Sequence, residues 1–200
     1  MNGKIIFFTG AGISAPSGIS TFRDENGLWN NHKIDEICNM KTWVKNYDNV
    51  HKFYNDIRVS LKDKEPNVAH KYIAELQNLL GEDKVINITQ NIDDLFEKAK
   101  VKKTIHLHGE INYMVCQRVL CNEKFYIGNN KFEGVCPKCK QSMVKPNVVF
   151  FEEEAPEYYK AKKILNDIKT EDILVVIGTS GNVFNINTYI KYIKYSTYQR

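Results

Sequence analysis

Short apolar runs, each followed at once by a polar or glycine-rich loop, constrain the fold of this 200-residue chain most strongly. The runs at 5–8, 85–88, 104–107 and 173–177 have the composition of buried strands, and helical patterns lie between them. Continuous apolar strands that alternate with helices indicate a parallel sheet covered on both faces. Because ligands bind beyond the carboxyl ends of such strands, the loops after the runs are expected to share one cleft.

The expected fold class is α/β, with a Rossmann-like, mostly parallel sheet and helices on both faces. We assign residues 1–30, 67–112 and 144–200 to this Rossmann-like domain. Residues 31–66 form a helical insertion. Residues 113–143 form a small module, because they are rich in cysteine and glycine and have little core-forming periodicity.

Composition excludes several classes of protein. The formal charge of +4 is mild and the basic residues are scattered, so nucleic-acid binding is not indicated. No apolar stretch approaches the roughly 18 residues of a membrane span, and the N-terminus lacks the form of a signal peptide. We therefore expect a cytoplasmic protein that binds neither nucleic acid nor membrane. The sequence does not indicate an oligomeric state.

The first strand leads into a glycine loop in which Gly10, Gly12 and Ala15 have the spacing G-x-G-x-x-A. Such a loop allows a tight turn and presents backbone N–H groups to a pyrophosphate. The same loop occurs in dehydrogenases, which place an acidic residue about twenty positions later at the end of a second strand. Asp35 and Glu36 have that spacing but lie in a helical pattern rather than at the end of a strand. The sequence therefore gives little support to a dehydrogenase.

The loop 89–93 and the segment 106–109 supply polar groups at two further strand ends. The loop could be a solvated turn, but its amides could also bind a ribose and a carboxamide. Of the two histidines in this segment, His106 and His108, we expect only one to act in the cleft. His108 precedes Gly109 at the strand end, and its near-neutral pKa suits a general base. We interpret His106 as structural.

Four cysteines lie within 24 residues and have the pattern C-x4-C, a 14-residue gap, then C-x2-C. This clustering favours a metal over disulfides. Four thiolates complete the tetrahedral shell of Zn²⁺, so the site would be structural rather than catalytic. The expected ligands are Cys116, Cys121, Cys136 and Cys139. Cys38 stands apart, and we interpret it as a small buried side chain.

These motifs, in this order, resemble those of sirtuins, which are NAD-dependent protein-lysine deacylases. The resemblance runs from about residue 4 to residue 181. It rests on Gly10-Ala-Gly-Ile-Ser, Phe22-Arg-Asp with Gly27-Leu-Trp29, Thr89-Gln-Asn-Ile-Asp93, His106-Leu-His-Gly109, the cysteine cluster and Gly178-Thr-Ser180.

The resemblance implies a role for each matching residue. Gln90 and Asn91 would lie by the nicotinamide ribose, Asp93 would contact the nicotinamide amide, and Phe22 with Arg23 would belong to a loop that closes over NAD. His108 would be the general base, and we place Asn91 with it as catalytic. The full expected NAD-binding set is Gly10, Ala11, Gly12, Ser14, Ala15, Phe22, Arg23, Gln90, Asn91, Ile92, Asp93, Gly178, Thr179 and Ser180.

The reaction implied by the resemblance releases nicotinamide, free lysine and O-acyl-ADP-ribose. Its partner is an acyl-lysine protein or peptide, which would add as a strand beside the segment 146–150, with Val148 and Phe150 as substrate contacts. The family usually has a glycine soon after this segment, whereas this chain has Glu152. An acidic side chain there would favour basic peptides.

Two candidate residues concern the acyl group. Some sirtuins bind acidic acyl groups through a Tyr-x-x-Arg pair on a helix. Here Tyr54 is followed by Arg58, one position later, which rotates the side chain by about 100°. Core and surface roles for the two residues are equally compatible with the pattern, so we favour acetyl and leave succinyl and malonyl open.

Two other departures from the family keep alternatives open. Sirtuins usually show C-x2-C in both cysteine pairs, and they continue past Gly-Thr-Ser with a further strand and helix, which we expect to be missing from this chain that ends at Arg200. The alternatives are an NAD hydrolase or ADP-ribosyltransferase on the same scaffold, and a zinc-stabilised binding module with a weakened NAD site.

Overall fold

The computed structural model describes residues 3–21, 34–181, 183–189 and 197–198. Phe22 and Arg23 therefore lie outside the described residues. The strands are β1 (Ile5–Thr9), β2 (Val85–Thr89), β3 (Thr104–His106), β4 (Gly109–Cys116), β5 (Lys124–Tyr126), β6 (Val144–Val148), β7 (Ile173–Ile177) and β8 (Thr197–Tyr198). The α-helices are α1 (Ile34–Ile37), α2 (Tyr47–Leu61), α3 (Val68–Leu80), α4 (Leu95–Lys98) and α5 (Pro156–Asn166), and 3₁₀ turns lie at Ala11–Ile13, Ala15–Ser17 and Ile186–Tyr189.

The larger sheet is parallel and has the strand order β3-β2-β1-β7-β8. β1 lies at its centre, and helices with connecting segments pack against both faces, where two clusters of buried apolar side chains form the core. The expected parallel α/β fold is confirmed. β8 follows the Gly-Thr-Ser turn and pairs in parallel with β7 over two residues. The chain therefore has a short strand after this turn, where the sequence predicted none.

A second sheet is antiparallel and has the order β5-β4-β6. The apolar run 146–151, assigned above to the Rossmann-like domain, forms β6 in its first part and pairs with β4 rather than with the parallel sheet. An apolar run indicates a buried strand without identifying its partner, and here the intervening module returns the chain alongside β4. The small sheet therefore extends beyond 113–143 at both ends.

The helices lie close to their expected positions. Asn67 begins α3 by accepting a hydrogen bond from the backbone N–H of Ala69, and Gly81, at φ 91°, ends it. α2 begins at Tyr47, about one turn before the helical pattern that the sequence shows at 51–62. The helical pattern of the sequence at 186–193 is a 3₁₀ turn over the described residues Ile186–Tyr189. None of the helices within the described ranges is long and apolar enough to span a membrane.

Candidate active site

The glycine loop packs directly on the turn after β7. The N–H of Gly10 donates to the carbonyl of Ile177 at 2.9 Å, and the N–H of Gly12 donates to the carbonyl of Gly178 at 2.9 Å. A Cβ on Gly12 would lie 2.6 Å from the Cα of Gly178, and Gly178 itself has φ 65°. Only glycine allows this contact, which joins the two turns expected to face a pyrophosphate.

Ser14 links the glycine loop to the loop after β2. Its hydroxyl donates to Asp93 Oδ2 at 2.9 Å and accepts from Asn91 Nδ2 at 3.0 Å. All three side chains are buried. Burial raises the pKa of Asp93, while hydrogen bonds from the Leu95 N–H and the Ser14 hydroxyl oppose that shift. The sequence-predicted residues Ser14, Asn91 and Asp93 therefore form one preorganised polar network.

Gln90 connects the same loop to the turn after β7. Its Nε2 donates to Thr179 Oγ1 at 2.7 Å, and Thr179 Oγ1 also accepts from the N–H of Gly181 at 3.2 Å. The loops after β1, β2 and β7 are thus tied to one another at the carboxyl end of the sheet. Ala11, Ala15, Ile92 and Ser180 lie in these same loops, as expected.

His108 lies at the carboxyl end of the sheet, and both of its ring nitrogens are within hydrogen-bond distance of a protein oxygen. Nδ1 lies 2.7 Å from the carbonyl oxygen of Gln90, and Nε2 lies 2.8 Å from the hydroxyl of Tyr158 on α5. A carbonyl oxygen can only accept, so Nδ1 carries the proton and Nε2 presents its lone pair in the neutral ring. Burial lowers the pKa of His108, which keeps the ring neutral at physiological pH. This is the state that a general base requires.

His106 has a different environment. Its Nδ1 lies 3.0 Å from the carbonyl oxygen of Asn91, and its Nε2 lies 3.0 Å from Glu97 Oε1. Burial acts to lower the pKa of His106, but the hydrogen bond and charge of Glu97 prevail and raise it. The ring is buried and holds the loop that contains Asn91, so its position agrees with the predicted structural role.

The four predicted ligand cysteines converge. Their sulfur atoms all lie within 4.8 Å of one another, with 3.6 Å between Cys116 and Cys139 and 3.6 Å between Cys121 and Cys136. Sulfurs bound at about 2.3 Å to a tetrahedral Zn²⁺ would be about 3.8 Å apart. The longer C-x4-C loop therefore closes a set that fits zinc. Cys38 is buried outside this cluster.

Tyr54 and Arg58 do not form an accessible pair. Tyr54 is fully buried and its ring stacks on Phe150, with 5.7 Å between ring centroids. Arg58 is also fully buried rather than a surface charge. Its guanidinium donates to the carbonyl of Ile111 and to Asn55 Oδ1, both at 2.7 Å, and contacts the sulfur of Met114 at 2.8 Å.

Val148 and Phe150 face the core, with 6% and 2% of their surfaces exposed. The neighbouring side chains alternate with them, so Val149 is half-buried and Phe151 is 49% exposed. The segment does provide an edge, because β6 pairs only with β4 among the described strands. The period-2 alternation of a strand thus places Val149 and Phe151, rather than Val148 and Phe150, on the accessible side of the segment.

Glu152 occupies the position where the family usually has glycine. Its φ of 65° is in the left-handed region that favours glycine, which explains the family preference in physical terms. Its carboxylate forms an ion pair with Lys41. The hydrogen bond from Lys41 lowers the pKa of Glu152, and the ion pair offsets part of the charge expected to select basic peptides.

Tyr158 is a contact that the sequence did not reveal. It lies in α5, distant in sequence from every motif, and only the packing of that helix brings its hydroxyl to His108. The spacing of Tyr158 with Ala161 and Leu165 places it on the buried side of α5, whereas Tyr159 is 76% exposed, but no motif of the sequence links Tyr158 to His108.

Comparisons with known proteins agree with this geometry. The model of the Sir2 family matches residues 10–185. A protein from Helicobacter hepaticus, named NAD-dependent protein deacylase, is 41% identical to this chain, and the match covers 94% of this chain and 79% of the relative. A protein of the same name from Campylobacter jejuni strain RM1221 is 41% identical and covers 93% of this chain and 78% of the relative.

Solved structures show the same likeness. A Sir2 homolog–NAD complex has a TM-score of 0.81 and 32% identity, and the match covers 96% of this chain and 77% of that chain. A complex of a Sir2 homologue with ADP-ribose also has a TM-score of 0.81, with 30% identity, 96% of this chain and 79% of that chain covered.

Proposed function

Because this chain belongs to the Sir2 family, we propose that it is an NAD-dependent protein-lysine deacylase. The observation that best supports this function is the unprotonated Nε2 of His108, whose Nδ1 donates to Gln90 in the loop that also carries Asn91 and Asp93 of the buried polar network. A base and a buried set of amide and carboxyl groups meet where the loops after β1, β2 and β7 are tied together. This is the arrangement that a site for cleaving a nucleotide requires.

Bound NAD would supply an activated ribose carbon, from which nicotinamide leaves as the acyl oxygen attacks, and the products are nicotinamide, free lysine and O-acyl-ADP-ribose. The glycine loop and the turn at Gly178–Ser180 would bind the pyrophosphate through backbone N–H groups other than those of Gly10 and Gly12, which already donate to Ile177 and Gly178. Asn91, Asp93 and Gln90 would orient the ribose and carboxamide. His108 would accept the proton of a ribose hydroxyl at Nε2, because Nδ1 already carries a proton.

The four cysteines would hold zinc in a structural role. Four thiolates fill a tetrahedral shell and leave no position for water or substrate. A thiolate zinc site also suits a reducing compartment, so a cytoplasmic location remains our prediction.

Acetyl-lysine is the substrate that the geometry favours among acyl groups. An acidic acyl group needs an accessible cation, and Arg58 is fully buried with its donors directed at Ile111, Asn55 and Met114. We therefore expect peptides that carry acetyl-lysine to react faster than the same peptides carrying succinyl- or malonyl-lysine. A higher rate with succinyl-lysine would refute this assignment.

The peptide would lie along the exposed side of the segment that follows β6. Val149 and Phe151 replace Val148 and Phe150 as the proposed contacts, because the latter two side chains are buried. The backbone N–H and carbonyl of Phe151 already bond to the carbonyl of Cys38 and the N–H of Met40, so pairing with the peptide would use other backbone groups.

The experiment that tests the function measures nicotinamide release and lysine deacylation with NAD and an acetyl-lysine peptide. We expect peptide-dependent release in the wild-type protein and loss of O-acyl-ADP-ribose formation in His108→Ala. Deacylation that survives in His108→Ala would exclude His108 as the base. Nicotinamide release that needs no peptide would instead indicate an NAD hydrolase, and no NAD binding would indicate a binding module.

A further inference from the structure

The lone pair of the proposed base has a protein partner. Tyr158 lies with its hydroxyl 2.8 Å from Nε2 of His108, and the two ring centroids are 5.9 Å apart. The Nδ1 proton is committed to the Gln90 carbonyl, so in the neutral state the tyrosine O–H must donate to Nε2. His108 is therefore held at both nitrogens by two different elements, the loop after β2 and helix α5.

Tyr158 is itself fixed in place by aromatic packing. Its ring meets Phe184 edge to face with 5.4 Å between centroids, and Phe184 packs on Phe8 of the central strand at 5.1 Å. Phe8 is fully buried and Phe184 is 4% exposed. The hydroxyl is thus carried on a rigid support that reaches the middle of the parallel sheet.

We propose that Tyr158 is a positioning residue for the general base His108, an inference that rests on the proposed deacylase function. Before substrate binds, its hydroxyl donates to Nε2 and so holds the ring in place. The ribose hydroxyl would displace the tyrosine O–H from the Nε2 lone pair and give its proton to Nε2, and the rotated tyrosine hydroxyl would then accept a hydrogen bond from the new Nε2–H. That exchange stabilises the imidazolium and frees the ribose oxygen to react.

The proton balance of this step is complete within the site. The O–H bond of the ribose breaks, the N–H bond forms at Nε2, and Tyr158 keeps its own proton throughout. Among the contacts of His108 in the described part of the chain, Tyr158 is the ionisable one. Burial raises the pKa of Tyr158, so its hydroxyl stays protonated while His108 titrates.

The test uses Tyr158→Phe, which removes one oxygen atom and keeps the ring that packs on Phe184. Tyr159→Phe is the matched control, because it makes the same change one position later at an exposed site. In the ligand-free wild-type protein, ¹⁵N NMR should show a protonated Nδ1 and a hydrogen-bonded Nε2 on His108. The Nε2 resonance should move in Tyr158→Phe and stay in place in Tyr159→Phe.

Kinetics with NAD and acetyl-lysine peptide provide the second measurement. We expect the kcat for O-acyl-ADP-ribose formation to fall about tenfold or more in Tyr158→Phe, the size of a lost hydrogen bond to a charged group. Exchange of free nicotinamide into NAD, which precedes the base-dependent step, should change less than about twofold. The KM for NAD should likewise stay near the wild-type value.

The outcomes separate the two proposals. A wild-type Nε2 without a hydrogen bond, or wild-type kcat in Tyr158→Phe, overturns the role of Tyr158 while leaving the deacylase assignment intact. Equal losses of nicotinamide exchange and product formation also overturn it, because they indicate a general effect on the fold. Absence of both activities in the wild-type protein refutes the proposed function itself.

Discussion

At the residue scale, the glycine loop contacts the turn after β7 so closely that Gly12 has no room for a side chain. A methyl group on Gly12 would lie 2.6 Å from the Cα and 3.1 Å from the carbonyl oxygen of Gly178. Both neighbours are backbone atoms, so they cannot move aside as a flexible side chain would. The two turns that are proposed to bind the pyrophosphate would have to separate.

We therefore predict that Gly12→Ala raises the dissociation constant for NAD at least tenfold and lowers the free energy of unfolding by about 1–3 kcal/mol. Gly134→Ala is the matched control, since nothing lies within 4 Å of a Cβ at that position. Calorimetric titration with NAD and urea unfolding measure the two effects. Wild-type NAD affinity in Gly12→Ala would show that the contact between the turns is not needed for binding.

The same scale shows what a sequence can and cannot predict. The residue types at the strand ends predicted that Ser14, Asn91, Asp93 and His108 would share a cleft, because parallel strands end at a common edge. The tautomer of His108 was not predictable, since it depends on a carbonyl oxygen 18 positions away in the sequence. Nor was Tyr158, which reaches the site only through the packing of α5.

At the scale of elements, α3 contains a buried histidine that we expect to make the protein less stable in acid. His70 is fully buried against the Phe96 ring at 4.8 Å, and neither ring nitrogen has a hydrogen-bond partner among the residues that the structure describes. Burial lowers the pKa of His70 to about 4, while the charge of Glu97 opposes that shift. The unfolded chain, with a pKa of 6.5 at this position, binds the proton more readily than the folded one.

Stability should therefore fall as the pH falls from 6.5 towards 4. Between pH 7 and pH 5 we expect His70 alone to lower the free energy of unfolding by about 2 kcal/mol. His70→Leu cannot titrate, so its free energy of unfolding in urea should decrease by about 2 kcal/mol less over the same interval. Parallel pH dependences of the two proteins would exclude His70 as the acid-sensitive group.

The elements themselves were predicted unequally well. Helix α3 was well defined, because an N-cap, an apolar stripe and a terminal glycine all agree on its limits. The partner of β6 was not predictable, because an apolar run specifies burial but not which strand it pairs with. In α2 the apolar side chains Phe53, Ile57 and Leu61 indicate a helix. A second stripe along this helix consists of polar side chains, and their residue types did not predict that they would be used in packing.

At the scale of the whole molecule, that polar stripe joins the helical insertion to the small sheet. Its four residues are spaced by four, four and three positions, which places them on one face of α2. Tyr47 donates to the Ser142 carbonyl at 2.6 Å and His51 to the Val144 carbonyl at 2.9 Å. Asn55 and Arg58 extend the series to the segment after β5 and to β4.

We accordingly propose that the insertion 31–66 and the cysteine module form one unit beside the parallel sheet. The apolar side of the same helix packs on Ile111 of β4, Val148 of β6 and Phe150 just after β6. The division of the chain into a Rossmann-like domain, a helical insertion and a cysteine module remains a prediction. If the proposal holds, the insertion and the module unfold together.

Asn55 offers the sharpest test of that unit. Its Oδ1 accepts from Arg58 Nη1 at 2.7 Å and from the N–H of Phe132 at 2.8 Å, while its Nδ2 donates to the Phe132 carbonyl at 3.0 Å. Asn55→Ala removes the hydrogen-bond partner of three buried groups, which are Arg58 Nη1, the N–H of Phe132 and the carbonyl of Phe132. We therefore predict that it lowers the free energy of unfolding by about 3 kcal/mol. Lys52→Ala, which removes an exposed ion pair with Asp56 on the same helix, should cost less than about 1 kcal/mol.

The metal site provides the measurement that distinguishes one unit from two. If insertion and module unfold together, zinc should pass to a chelator faster from Asn55→Ala than from Lys52→Ala, because the cysteine cluster opens whenever α2 detaches. The residues that bond to Asn55 lie on α2 and just before Cys136, so the effect has a direct structural route. Equal rates of zinc release, together with a lower stability of Asn55→Ala, would mean that the module holds its metal independently of the helix.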